Sequence, residues 1–239
     1  MKDWLKTILL LFVAALLTRF IPFSYLFRTL DTMVHEFGHA VVTLLTSGEV
    51  IRIDLNADHS GVTYSTLTSN WAAILTALAG YIGASLFAVL LFYLYCKRLE
   101  QLGFAMMTLI AAVMVALYVH GGYGFWWLAG FILLNAIIMF FAGDWLRKGY
   151  YLLLAFITLE ESVLAPIMLM LASVTSPGQA GDASNLAAST FIPAPVWAAL
   201  FLLVALWCAR LAVSLFLRRS RGQINKGGSR RRQSVDMSG

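Results

Sequence analysis

The sequence predicts an all-α polytopic membrane protein, a bundle of six to seven transmembrane helices with one short β-hairpin. Of its 239 residues, 60% are hydrophobic and only 12% are charged, a composition that excludes a soluble globular protein. Apolar stretches close to the ~20 residues that cross hydrocarbon recur along the chain. In one short segment apolar and polar residues alternate instead, and this alternation predicts the hairpin.

The first helix is predicted from an apolar run over residues 4–17, which Arg19 and Pro22 end or kink. Lys2 and Lys6 precede this run, as basic residues do in a secretory signal. Because no small-residue cleavage site precedes Arg19, we interpret the run as a retained helix.

The second helix, residues 28–46, carries the motif His-Glu-x-x-His. On a helix, His35 and His39 leave the same face and can bind one metal ion, and Glu36 can take a proton from a metal-bound water. Asp31 extends the same stripe by one turn, where it would either cap the helix or orient the ring of His35. Ionisable groups at membrane depth normally face a bundle interior or a wet cavity, as a metal site requires.

The hairpin is predicted directly after this helix. Gly48 ends the helix, and residues 51–55 then alternate apolar and polar side chains. Residues 56–61 have turn chemistry, and residues 62–65 form a second β-prone run. We expect this hairpin to lie at the membrane surface, with His59 as a turn residue.

Further spans are predicted over residues 71–95, 104–119, 125–141, 150–171 and 196–217. The fourth of these contains Glu160 and Glu161. Their interpretation stays open between a partner of a ligand histidine, part of a water path, and a hydrogen bond within the bundle. Cys96 and Cys208 lie in apolar segments, where they indicate buried side chains and no disulfide framework.

The net charge of +5 does not indicate nucleic-acid binding, because seven of the 17 basic residues follow the last apolar run. We therefore divide the chain into a membrane domain, residues 1–217, and a basic, disordered tail, residues 218–239. Basic residues gather on the cytoplasmic side of membranes, so the tail is predicted to be cytoplasmic and to touch anionic lipid. Lys2 and Lys6 fit this orientation poorly unless the N-terminal segment is re-entrant or the motif helix does not fully span, so the choice between six and seven spans stays open.

The motif stretch Val34–Ala40, followed by Gly48, resembles the site-2 protease family of intramembrane zinc metallopeptidases. Residues 48–63, 79–83 and 181–197 extend the likeness to a compact bacterial branch without PDZ or CBS domains. The resemblance implies a zinc ion held by two histidines and a distant aspartate, with His35 and His39 as the histidines.

Two residues are candidates for the aspartate ligand. Asp182, in the stretch Gly181–Ala187, matches the compact branch and is preferred; otherwise it is an ordinary loop or capping carboxylate. Asp144 is the alternative, because Asn135 precedes it at nearly the spacing of the larger family members; its other interpretation is a helix-end residue beside Arg147.

The resulting hypothesis is an intramembrane zinc metalloprotease of a bacterial plasma membrane. It would hydrolyse peptide bonds of membrane-anchored protein substrates, with Glu36 as general base. The resemblance implies that the hairpin holds the substrate as an added strand. Two alternatives stay open: a transporter or channel that uses the histidines and glutamates for ions or protons, and a pseudoprotease that binds membrane proteins without cutting them.

Overall fold

The computed structural model describes residues 2–20 and 24–236. Within these residues the elements are α1 Lys2–Ala15, α2 Ser24–Leu45, β1 Glu49–Leu55, β2 Gly61–Thr66, α3 Asn70–Lys97, α4 Glu100–Leu117, α5 Gly122–Phe141, α6 Asp144–Thr175, α7 Gly181–Thr190 and α8 Ala194–Asp236. A π-helical turn, Leu16–Phe20, follows α1, and a 3₁₀ turn, Pro177–Gln179, precedes α7. The predicted all-α membrane class, with a hairpin after the motif helix, is confirmed.

Five of the described helices are long and apolar enough to cross a membrane: α3, α4, α5, α6 and residues Ala194–Arg219 of α8. The segments Thr7–Phe20 and Ser24–Leu45, bent by 105°, make a sixth span if the pair is counted as one. The predicted count of six is therefore reached, and the count of seven is not reached among the described residues. The motif helix α2 does not count as a separate membrane span, because its polar stripe lowers its mean hydropathy.

The core lies between α3, α6 and α8. Phe156 packs edge-on against Phe92 and Phe216, with ring centroids 5.0 and 5.2 Å apart. Tyr151 is fully buried, and its hydroxyl donates to the carbonyl of Leu91 over 2.8 Å. A buried hydroxyl needs such a partner, and this bond connects α6 to α3.

The motif helix α2 crosses α3 at very short range. A Cβ on Gly38 would lie 2.9 Å from the carbonyl oxygen of Ala79, so only glycine fits this position without a shift. Small residues allow two helix backbones to approach closely inside a membrane. The crossing brings the polar stripe of α2 against the N-terminal half of α3.

The short helix α7 packs against α3 and α8 through a second apolar cluster. Ala183 and Leu186 of α7 are fully buried against Ala77 of α3 and against Ala198 and Phe201 of α8. This packing fixes the first turn of α7 close to the crossing of α2 and α3.

The hairpin strands are antiparallel, with Ile53 opposite Thr63 and an irregularity between Val50 and Arg52. The amide of Ile53 donates to the carbonyl of Tyr118 over 2.9 Å, so the outer edge of β1 is covered. The described residues form a two-stranded sheet, in which β2 pairs with β1 on one edge and with no strand on the other.

The last helix continues beyond the membrane segment. Its backbone is helical as far as Asp236, through the basic stretch for which composition predicts disorder. The division into a membrane domain, residues 1–217, and a cytoplasmic tail, residues 218–239, stays a prediction.

Candidate metal centre and catalytic site

Two imidazoles meet on the inner face of α2. His35 and His39 are four residues apart, which places their side chains one above the other on a helix. Their Nε2 atoms are 3.0 Å apart. The Nδ1 atom of His39 donates to the carbonyl of Thr76 over 2.7 Å, because a carbonyl can only accept. That bond leaves the Nε2 lone pair of His39 free toward His35.

Asp182 joins these two histidines from the first turn of α7. Its Oδ2 atom lies 3.2 Å from the Nε2 atom of His35 and 3.2 Å from that of His39. We call these three residues the histidine cluster. The structure places the alternative, Asp144, elsewhere: its side chain is 81% exposed at the start of α6 and lies 3.6 Å from Arg147.

The geometry of the histidine cluster fits a small divalent cation. Tetrahedral zinc with ligands at about 2.0–2.1 Å would set its ligand atoms ~3.3 Å apart. The three observed separations are 3.0, 3.2 and 3.2 Å, so the three atoms form one face of such a tetrahedron. Two imidazole nitrogens with a carboxylate oxygen are also a donor set that suits zinc.

The backbone of α3 closes in on the cluster at Gly80. A Cβ there would lie 2.5 Å from the Nε2 atom of His35 and 2.6 Å from that of His39. The ring of Tyr81 packs edge-on against His35, with centroids 4.6 Å apart. The absence of a side chain at Gly80 therefore keeps open the space that the imidazoles occupy.

Electrostatics keep Asp182 in its anionic form. Burial raises the pKa of Asp182, but in the absence of a metal a protonated His39 and hydrogen bonds from both imidazoles hold it well below its ordinary value. An ionised carboxylate is the form that binds a cation.

Glu36 lies beside the histidine cluster and is only 4% exposed. The hydroxyl of Thr63, on β2, donates to its Oε2 atom over 2.7 Å. The backbone of β2 lies against the same carboxylate, since a Cβ on Gly61 would collide with its Oε1 atom. A cavity of about 710 Å³ connects Glu36, the cluster and the inner edge of β2.

Glu160 and Glu161 form a separate group of charges with two arginines. Glu161 lies 3.0 Å from Arg19 and 3.3 Å from Arg28, and Glu160 accepts a 2.7 Å hydrogen bond from Thr18. We call the two arginines and two glutamates the arginine–glutamate cluster. Of the three interpretations left open by the sequence, bonding within the bundle agrees with these contacts.

The other polar residues named from the sequence lie around the site. Asp31 is buried on the cavity wall, and its Oδ1 atom has no hydrogen-bond partner among the described residues, so the contacts give no support to its orienting His35. His59 is in the hairpin turn, where its carbonyl accepts from Thr32 over 3.3 Å. His120 is exposed in the connection from α4 to α5.

Sequence reasoning missed Thr63 and Thr76 as partners of the motif residues. Both are 27 or more residues from the motif side chain that they contact, so no local spacing points to them. The alternation of β2 does place Thr63 on its inward face. Gly80 entered the sequence analysis only as part of residues 79–83, which extend the family likeness, although it also lies against the imidazoles.

The comparison with protein families gives a clear result. The model of the family described as Peptidase M50B-like matches residues 7–212, which include the whole site. Nothing among the curated proteins or the solved structures matches the chain significantly. Peptidases of this wider family depend on zinc in general. The chain thus belongs to the Peptidase M50B-like family, a site-2 protease family of integral membrane metallopeptidases.

Proposed function

We propose that this protein is an intramembrane zinc metalloprotease that hydrolyses peptide bonds of membrane-anchored protein substrates. The observation that carries the proposal is the meeting of His35, His39 and Asp182 within 3.2 Å of one another, with buried Glu36 beside them. The family assignment supports a membrane metallopeptidase, and these residues supply what its reaction needs.

The roles follow from the atoms involved. The Nε2 atoms of His35 and His39 and the Oδ2 atom of Asp182 would hold zinc. Zinc bound there would supply Lewis-acid chemistry, through which a scissile carbonyl would be polarised and the pKa of water lowered toward ~7. Glu36 accepts the proton of the attacking water on its carboxylate and then gives that proton to the leaving amine nitrogen.

The substrate reaches these residues as an extended peptide. The carbonyls of a transmembrane helix are bound within its own ladder, so a helical substrate must unwind locally before attack. The inner edge of β2 lines the cavity at Gly61, Thr63 and Ser65 and would pair with the unwound segment as a neighbouring strand.

We place the protein in a bacterial plasma membrane with a cytoplasmic C-terminus. The basic residues after the last apolar run support this orientation, because such residues gather on the cytoplasmic side. The same tail would touch anionic lipid.

The test compares wild type with Glu36→Gln, each purified in liposomes with a fluorescent single-span substrate whose helix contains glycine and proline. We expect Glu36→Gln to keep its zinc and to lose cleavage by about 10³-fold or more, because the amide cannot accept the proton. Glu49→Gln, an exposed change on β1, is the matched control and should cleave normally.

Full cleavage by Glu36→Gln would contradict the role of Glu36 as general base. Zinc flux into the liposomes that survives this change would instead favour a transporter. Binding of the substrate without cleavage by wild type would favour a pseudoprotease.

A further inference from the structure

Thr63, on β2, contacts Glu36, the general base proposed above. Along β2, residues alternate between half-buried and exposed, and Gly61, Thr63 and Ser65 are the half-buried ones. The Thr63 hydroxyl lies 2.7 Å from the Oε2 atom of Glu36 and 3.2 Å from the main-chain oxygen of the same residue. Among the described residues, the bond to Oε2 is the one hydrogen bond found for the Glu36 carboxylate.

A hydroxyl can serve both forms of a carboxyl group that shuttles a proton. While Glu36 is ionised, the Thr63 O–H donates to Oε2. Once Glu36 has taken a proton, its own O–H can donate to the Thr63 oxygen, and the Thr63 hydrogen can turn to the main-chain oxygen of Glu36. The carboxyl group therefore stays in the same place in both halves of the reaction.

The main chain of Thr63 points to the edge where a substrate strand would lie. The amide of Ile53 donates outward to Tyr118, so Ile53 and Thr63, which are opposite each other, form a non-hydrogen-bonded pair. The N–H and C=O groups of Thr63 therefore point away from β1, to the edge of β2 that has no strand partner among the described residues. One residue thus presents its backbone to the incoming strand and its side chain to Glu36.

We infer that Thr63 is a positioning residue, whose hydroxyl fixes the Glu36 carboxylate relative to a substrate paired with β2. The inference rests on the proposed proteolysis and adds a residue to it. Because the hydroxyl acts on the base and the backbone acts on the substrate, loss of the hydroxyl lowers kcat and leaves substrate binding intact.

The test uses Thr63→Val and Thr63→Ser, with Thr66→Val as the matched control. Val keeps the branched shape that suits a strand but removes the hydroxyl, whereas Ser keeps the hydroxyl. Thr66 is on the exposed face of the same strand. All variants are assayed in liposomes with the fluorescent single-span substrate, and zinc content and thermal midpoint are measured for each.

We expect kcat of Thr63→Val to fall about 10- to 100-fold, the loss of one hydrogen bond to a charged group. Its KM and zinc content should stay near those of wild type, and Thr63→Ser and Thr66→Val should cleave within about threefold of wild type. Substrate affinity measured in the inactive Glu36→Gln background should not change when Thr63→Val is added.

The inference is overturned if Thr63→Val cleaves like wild type, if Thr63→Ser falls as far as Thr63→Val, or if the change appears in KM alone. If Thr63→Val loses zinc or unfolds, Thr63→Ala and Thr63→Ser decide at equal zinc content: a tenfold advantage for Ser supports the inference, and equal rates overturn it. If the wild-type protein does not cleave the substrate, both the proposed function and this inference are contradicted.

Discussion

The apolar bundle contains two groups of buried polar side chains that satisfy their charges in opposite ways. In the arginine–glutamate cluster, cations and anions face each other directly, with Arg19 3.0 Å and Arg28 3.3 Å from Glu161. In the histidine cluster, two imidazole nitrogens and a carboxylate oxygen converge on one point. In the first group, charges of opposite sign pair with each other. The second is a set of electron-pair donors that would hold a cation at its centre.

This difference separates a structural role from a chemical one. Paired charges between α6 and the α1–α2 bend connect helices, and breaking such a pair leaves an uncompensated charge in an apolar surrounding. A convergent set of donors does little for the fold by itself but binds a metal. If the two roles are separate, a substitution in one cluster should change zinc content or stability without changing the other.

Of the changes that compare the two clusters, the largest effect is expected from Gly80→Ala. The added Cβ would lie 2.5 Å from His35 and 2.6 Å from His39, so the imidazoles must move out of their common geometry. We expect zinc to be lost and cleavage to fall about 100-fold or more, as for a misplaced catalytic group. Gly130→Ala is the control, because a Cβ on that helical glycine meets nothing within 4 Å. Equal zinc content in the two variants would contradict the geometry of the site.

A smaller effect, on stability and not on zinc binding, is expected from Glu161→Gln. This change leaves Arg19 and Arg28 without their shared carboxylate, and we expect the free energy of unfolding to fall by about 1–3 kcal/mol. The figure is below that of a fully buried pair because both arginine side chains are 23% exposed. Thermal unfolding measures the loss. Loss of zinc from still-folded Glu161→Gln would show that the two clusters are not independent.

The smallest effect is expected from the ion pair on the hairpin surface. Arg52 lies 3.3 Å from Asp54, and both side chains are about half exposed, at 54% and 41%. Water and salt screen such a pair, so Asp54→Asn should leave the thermal midpoint and the zinc content unchanged. A clear fall in cleavage by Asp54→Asn would mean that this outer face of the hairpin contacts the substrate.

The two clusters also differ in how far the sequence could predict them. His35, Glu36 and His39 are within five residues, so helix periodicity alone brings them to one face. Asp182 reaches them only through the packing of Leu186 and Ala183, and its selection over Asp144 came from a family resemblance. Local patterns place residues on faces but do not say which faces meet.

The arginine–glutamate cluster illustrates the same limit. Glu161 was visible as a costly charge inside an apolar span, yet its partner Arg28 is 133 residues away. Arg19 was interpreted only as the end of the first helix. The choice between six and seven spans has a related cause: the polar stripe that makes α2 a site helix also makes it too polar to count alone as a span, and six spans are reached among the described residues.

Zinc content is the measurement that tests the central claim most directly. Wild type, Asp144→Ala and Asp182→Ala are purified under identical conditions, and bound zinc is measured per chain together with the thermal midpoint. We predict about one zinc ion for wild type and for Asp144→Ala, and a loss of most zinc from folded Asp182→Ala, because one of three protein ligands is gone. Full zinc in Asp182→Ala, or its loss from Asp144→Ala alone, would contradict the histidine cluster as the metal centre.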